Sequence, residues 1–152
     1  MLKVGDNAPD FLLPDQNGKM HNLSDYKGNI IFIYFYPKDD TPGCTTEGCS
    51  VRDNMKVLEK LKVEVFGISA DSQESHKKFA EKYQLNFTLL SDVEKSVLNK
   101  YGAWGEKKFM GKTYMGILRT SFLIDKKGKV LKIYEKVKPE QHIAEVLEDI
   151  QN

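Results

Sequence analysis

Little cysteine, little histidine, no long apolar run and no surplus of charge mark this chain. No stretch approaches the ~20 apolar residues that a membrane-crossing helix needs, so a membrane protein is not expected. Met1 to Asp6 carries no apolar signal core, so export by a standard signal peptide is not expected either, and the expected compartment is the cytosol. Lys and Arg number 23 against 22 Asp and Glu, which argues against nucleic acid, whose binders concentrate basic charge. The pairs Lys107-Lys108 and Lys126-Lys127 are short and read as solvated loops. The three histidines, His21, His76 and His142, are scattered, with no cysteine pair at finger spacing. A closed zinc site is therefore unsupported, and neither metal nor cofactor is expected. The same scatter leaves no obvious imidazole partner for a cysteine, so a papain-like arrangement is unsupported. Each histidine reads as an ordinary surface or half-buried residue.

What is present is a globular composition, 40% hydrophobic and 30% charged over 152 residues. That length suits one domain, spanning residues 1–152, and is short for two. Phe11 to Leu23 reads as a hairpin around the turn signal Asn17-Gly18. Ile30 to Tyr36 is a continuous β-branched and aromatic run, expected to be a strand buried on both faces. Thr41 to about Lys62 reads as one helix, with Pro42 in its first turn and Val51, Met55 and Leu58 on one face. Val63 to Ser69 is a second core strand. Asp71 with Glu74 suggests a capping box for a helix carrying Phe79, Ala80 and Tyr83. Phe87 to Leu90 reads as a short strand. Ser91 with Glu94 suggests another capping box, for a helix stopped by Gly102. Ala103 to Leu118 has little periodicity and reads as a loop folded over something. Arg119 to Asp125 and Lys129 to Tyr134 form an antiparallel pair, and Pro139 opens a last helix. Strand–helix alternation makes this a layered α/β domain, with a sheet made mixed by the terminal hairpin. The order is what a thioredoxin-like sheet with an added N-terminal hairpin requires, although composition does not separate it from a small flavodoxin-like fold.

The two cysteines, Cys44 and Cys49, follow an aromatic strand and the turn-forming stretch Pro37-Lys38-Asp39-Asp40-Thr41-Pro42-Gly43. Cys44 falls in the first turn of its helix, where unpaired N–H groups and the helix dipole favour a negative group. Cysteines so placed react as thiolates; the alternative is a thiol that merely fills core. Thr41 either caps the helix or holds a substrate oxygen. Five residues apart on an α-helix, two Cα atoms are about 8.7 Å from each other, beyond the ~7 Å limit for a disulfide. Cys49 is thus either a quiet helical thiol or one that bonds Cys44 only when the intervening turns unwind. Gly48 eases unwinding by about 1 kcal/mol relative to alanine. In a reducing compartment a permanent staple is disfavoured. Arg119 is either a surface ion-pair residue or the cation that lowers the pKa of a thiol and forks to a polar substrate. Trp104 is either a lid near it or ordinary loop core.

At these residues the chain resembles a known family. Pro37-Lys38-Asp39-Asp40-Thr41-Pro42-Gly43-Cys44-Thr45 is similar to the proline–threonine–cysteine motif of peroxiredoxins, and the cysteine five residues on resembles the bacterioferritin-comigratory, or Q-type, branch. Tyr101 to Lys108, Gly111-Lys112 and Gly116 to Asp125 are similar to that branch as well. The resemblance implies a thioredoxin-like fold and a thiol-dependent peroxidase acting on hydrogen peroxide and alkyl hydroperoxides. It implies that Cys44 is the peroxidatic cysteine and Cys49 the resolving one. It implies that Pro37 shapes the pocket, that Thr41 and Arg119 hold and polarise the peroxide, and that Glu47 orients Arg119 or the helix. The implied reductant is thioredoxin or a similar dithiol protein. Where the branch often has alanine before the second cysteine, this chain has Gly48. With both thiols in one chain, a monomer or weak dimer is allowed. Two other classes stay open: a general thiol–disulfide exchanger, which usually carries Cys-x-x-Cys, and a non-catalytic holdase using the aromatic segment Trp104 to Tyr114.

Overall fold

A computed structural model describes residues 2–152. Its centre is the aromatic run, which forms strand β3, Ile30–Phe35. Phe32, Tyr34 and Tyr36 enter one apolar cluster, while Ile31, Ile33 and Phe35 enter the other. A strand with period-two side chains needs apolar residues at every position when both faces are covered, which is why this run shows no polar alternation. β3 is parallel to β4 (Val63–Ser69), which is parallel to β5 (Thr88–Ser91). On its other side β3 is antiparallel to β8 (Ser121–Ile124), and β8 to β9 (Val130–Tyr134). The sheet order is β5-β4-β3-β8-β9, mixed as expected. The N-terminal hairpin pairs β1 (Leu12–Pro14) with β2 (Met20–Asn22), with Gly18 at φ +84° in its turn.

Helices α1 (Pro42–Asp53), α2 (Met55–Lys60), α3 (Gln73–Tyr83) and α5 (His142–Gln151) supply Val51, Leu58, Phe79 and Val146 to the cluster that also holds Cys44. The opposite cluster takes Val97 and Leu98 of α4 (Ser96–Lys100), with Leu13 of β1 and Leu23 of a short 3-10 turn. Burying one such side chain contributes roughly 1.5–3 kcal/mol. This is the thioredoxin-like α/β architecture, a mixed sheet flanked by helices with an added N-terminal hairpin.

Five local expectations need correction. The helix expected over 41–62 is two helices, broken at Asn54. The Asn54 side chain donates back to the Ser50 carbonyl at 2.8 Å, a local bond that competes with helix continuation. The cap of α3 is Ser72, which accepts from the Ser75 N–H; the Asp71 carboxylate instead accepts from Ser69 Oγ and the Asp39 N–H. Ser91 still belongs to β5. α4 begins only at Ser96, after Lys95 at φ +64°, and the Asp92 carboxylate accepts from the Leu98 N–H. The segment 103–118 is a hairpin, β6 (Trp104–Phe109) and β7 (Lys112–Ile117), turning through Met110 and Gly111, both at positive φ. Two successive positive-φ residues make the two-residue hairpin turn. Phe109, Met110, Tyr114 and Met115 are exposed on it, so no buried face marks it as strand. Pro139 lies in the turn before α5, which starts at His142.

Candidate active site

The site stands at the carboxyl end of β3. After Tyr36 the chain passes half-buried Pro37, turns through Asp39 and Asp40, and enters α1 at Thr41 and Pro42. Asp40 takes φ +58°. Its carboxylate accepts from Lys82 Nζ at 2.8 Å and Tyr83 Oη at 2.7 Å. Thr41 occupies the N-cap position with extended backbone but makes no side-chain cap bond; its hydroxyl donates to the Lys38 carbonyl at 2.9 Å. The capping expectation for Thr41 is therefore corrected. The N–H groups of Gly43 and Cys44 fall among those with no intrahelical acceptor, and the Thr41 side chain does not fill them.

Cys44 is 1% exposed. Arg119, just before β8, reaches it across the sheet: Nη2 donates to Cys44 Sγ at 3.1 Å, and Nη1 donates to Glu47 Oε1 at 3.1 Å. One guanidinium thus forks between the sulfur and a carboxyl one helical turn further on, a geometry that a lysine cannot reproduce. Gly43 makes this approach possible, because a Cβ there would lie 2.8 Å from Arg119 Nη2. Sequence reading identified Gly43 as part of a tight turn and missed this steric role. It missed Lys107 too: burial first, then the Arg119 charge, pushes its ammonium below the ordinary lysine range.

Glu47 is 3% exposed and its Oε2 has no hydrogen-bond partner. Burial raises its pKa to about 7, and the Arg119 charge opposes that only in part. The two groups lie at ion-pair distance, yet burial wins because one carboxylate oxygen has no donor. The sign of the pH effect follows. Below the ordinary carboxyl value, Glu47 is neutral in both folded and unfolded chains. From there to about pH 7 the unfolded chain releases a proton that the folded one keeps, so stability falls as pH rises, by at most about 1.4 kcal/mol per unit. Glu47→Gln lacks this loss. Its denaturation midpoint relative to wild type is expected to climb through that window and level off above it; a constant difference would contradict the protonation assigned to Glu47.

Cys49 lies on the same helix, half-buried, and both thiols are free. With α1 helical from Pro42 to Asp53, the two sulfurs are held apart. Thr41, Cys44 and Arg119 meet at the start of α1, Pro37 lies in the loop that leads into it, and Cys49 stands further along the helix. Trp104, the first residue of β6, packs against the cluster on the opposite face, with Lys95 Nζ 5.2 Å from its ring centre, so it packs as core and not as a lid. The histidines are corrected: all three are buried. His21 lies 2.7 Å from Asp15 Oδ2 and 2.6 Å from Tyr26 Oη. His76, Asp39 and Asp71 bring ligand atoms within 4.8 Å of one another, but donors from Tyr36, Ser69, Ser75 and the Asp39 N–H already occupy the carboxylates.

A buried thiol at a helix start after a parallel strand, faced by arginine in a thioredoxin-like sheet, defines a class of thiol enzymes. Residues 4–133 match the AhpC/TSA family. Peroxiredoxin Bcp of Escherichia coli is 53% identical over 146 residues, covering 96% of this chain and 94% of that one. Peroxiredoxin Bcp of Bacillus subtilis is 47% identical over 151 residues, covering 99% and 96%. Among solved structures, Xanthomonas campestris peroxiredoxin Q superposes with a TM-score of 0.91 at 34% identity, covering 99% and 96%. The chain belongs to the AhpC/TSA family of peroxiredoxins, in its Bcp/peroxiredoxin Q branch. It is a thiol-based peroxidase of the thioredoxin-dependent kind.

Proposed function

We propose that Cys44 is the peroxidatic thiol and Cys49 the resolving one, within a chain that works as a single domain over residues 1–152. The observation that carries this reading is the Arg119 fork onto Cys44 Sγ at 3.1 Å. The Cys44 thiolate attacks the distal oxygen of a hydroperoxide. The O–O bond breaks, an S–O bond forms, and the alkoxide or hydroxide leaves and takes a proton as alcohol or water. The sulfur becomes a sulfenic acid. Arg119 and the N–H groups of Gly43 and Cys44 face the charge that shifts along the O–O bond; Thr41 Oγ1, whose hydrogen goes to the Lys38 carbonyl, accepts from the hydroperoxide O–H, and Pro37 limits the pocket. The α1 turns from Thr45 to Gly48 then unwind. Cys49 condenses with the sulfenic acid, expelling water and forming an intramolecular disulfide. Exchange with a dithiol protein of the thioredoxin type returns both thiols.

Hydrogen peroxide and alkyl hydroperoxides both suit a buried sulfur that only a small head group reaches. A structural relative at 33% identity, the Xanthomonas campestris bacterioferritin comigratory protein, has alkyl peroxide reduction activity. The proposed compartment is the cytosol, consistent with a resolving cycle that needs a reduced dithiol supply. No helix among the described residues is long and apolar enough to cross a membrane. Because both thiols are in one chain, a monomer or weak dimer suffices. Peroxide consumption with reduced thioredoxin supplied and withheld tests the reading. Sustained turnover is expected only with the dithiol, and mass spectrometry of the stalled enzyme is expected to find a Cys44–Cys49 link. Unmodified Cys44 after peroxide treatment would sink the assignment, and insulin reduction outpacing peroxide turnover would favour a general disulfide exchanger.

Gly48 tunes the resolving step. A Cβ at this position would meet Leu85 at 3.5 Å and Phe79 at 3.7 Å, ordinary packing distances. Gly48→Ala therefore fits, and it stabilises the helical form by about 1 kcal/mol, which lowers the unwound population about fivefold. Disulfide formation is expected to slow by that factor while Cys44 oxidation keeps its rate, as rapid-quench mass spectrometry would resolve. Equal slowing of both steps would contradict unwinding as a separate event.

A further inference from the structure

The loop that carries Pro37 and Thr41 is fastened from below by a buried polar cluster that the reaction scheme leaves unused. His76 on α3 is 0% exposed and Asp39 is 7% exposed. His76 Nε2 lies 2.9 Å from the Leu90 carbonyl oxygen. A carbonyl only accepts, so Nε2 carries hydrogen. His76 Nδ1 lies 2.7 Å from Asp39 Oδ2, so one further proton sits between that nitrogen and that oxygen. Tyr36 Oη donates to Asp39 Oδ1 at 2.6 Å, and Ser75 Oγ donates to Asp39 Oδ2 at 2.8 Å. The Asp39 N–H donates to Asp71 Oδ2, which Ser69 Oγ also serves. The Asp39 side chain thereby joins the end of β3, the start of α3 and, through His76, the backbone of β5.

We propose that Asp39 and His76 are positioning residues for the peroxide step: their shared-proton contact sets the loop from Pro37 to Thr41 and so the placement of the Thr41 hydroxyl and the helix-start N–H groups against Cys44. Asp39 and Asp40 both bind α3, one on its buried side and one at its far end, so the loop is held at two points. Fully paired buried networks of this kind fix one geometry, because any departure leaves a polar group unsatisfied. The role is one of placement and not of proton transfer, since the His76 ring is hydrogen-bonded to Tyr36, Asp39 and the Leu90 carbonyl and not to Cys44 Sγ. The inference rests on Cys44 being the peroxide-reactive thiol.

The test uses the full chain in a Cys49→Ser background, so that only Cys44 reacts. Two rates are compared: oxidation of Cys44 by hydrogen peroxide, and alkylation of the same sulfur by iodoacetamide, which needs a nucleophile but no peroxide pocket. Asp39→Ala is expected to lower the peroxide rate about tenfold or more and to leave alkylation within about twofold of the parent. Asp39→Asn, whose amide donates to Nδ1 while its carbonyl accepts from Tyr36, is expected to recover the rate to within about threefold. Ser75→Ala removes a single donor and is expected to give a loss of about threefold. A folded Asp39→Ala with the parent's peroxide rate overturns the proposal, as do peroxide and alkylation rates that fall together, or an Asp39→Asn no better than Asp39→Ala. Should Asp39→Ala fail to fold, an unchanged rate in Ser75→Ala overturns it. If the parent itself leaves Cys44 unoxidised by peroxide, it is the assignment of Cys44 that fails, and the positioning claim falls with it by a separate reading.

Discussion

Cys49→Ser is expected to consume a single equivalent of peroxide and then stop, even with thioredoxin present, whereas Cys44→Ser is expected to consume none. The contrast follows from the separation enforced by α1. With Cys49 absent, the Cys44 sulfenic acid has no thiol within the chain and accumulates until an external thiol reaches it. Its burial at 1% exposure makes that capture slow. The first-turnover rate of Cys49→Ser should match wild type, because Cys49 lies two-thirds of the way along α1 and touches neither Arg119 nor the helix start. A dimedone-type label followed by mass spectrometry locates the trapped species. Peroxide consumption by Cys44→Ser at a rate near wild type would remove Cys44 from the reaction, and multiple turnovers by Cys49→Ser at the wild-type rate would remove Cys49.

Arg119→Ala is expected to cut the second-order rate with peroxide by about 10²-fold or more, the range seen when one preorganised donor is lost from a buried reaction centre. The guanidinium touches Sγ and Glu47 at once, so its removal takes away the charge at the sulfur and leaves Glu47 without a partner. Arg119→Lys restores a charge but not the fork and should recover only part of the rate. Gly43→Ala reaches the same interaction from the other side. Its Cβ would stand 2.8 Å from Nη2 and must displace it, and a loss of about ten- to a hundredfold is expected from a shift of that size. Competition kinetics against a calibrated peroxidase would measure all three. Arg119→Ala within threefold of wild type would leave the fork without a catalytic role.

Much of this site was legible because its parts are local or chemically unusual. A two-face apolar run can only be a central strand, a proline and threonine before Cys44 mark a helix start, and the five-residue spacing forbids a resting disulfide. Arg119 was legible as a candidate cation, but its meeting with Cys44 depends on the β3–β8 register, which no local pattern encodes. Asp39 and His76 were missed for the same reason. They are 37 residues apart, and each alone looks like an ordinary turn or helix residue. The β6–β7 hairpin leaves no strand pattern in the sequence, because its apolar side chains face outward and Met110 is an uncommon occupant of a positive-φ turn. The capping boxes failed where carboxylates had tertiary work: Asp71 serves the Asp39 loop, and Asp92 outcompetes Ser91 for the start of α4.

The break at Asn54 has a thermodynamic consequence for the catalytic cycle. Had residues 42–60 formed one rod, freeing Cys49 would have strained the whole rod, including Leu58 in the core. The helix that opens in the proposed cycle instead ends at Asp53, and Arg52 Nη1 donates to the Tyr83 carbonyl at 2.6 Å, tethering that end to α3. The opening unit is therefore a short cooperative segment bounded by anchors on either side. It can melt at a free energy well below that of global unfolding, so in the proposed cycle the chain refolds part of α1 at each turnover while Leu58 of α2 stays packed in the core.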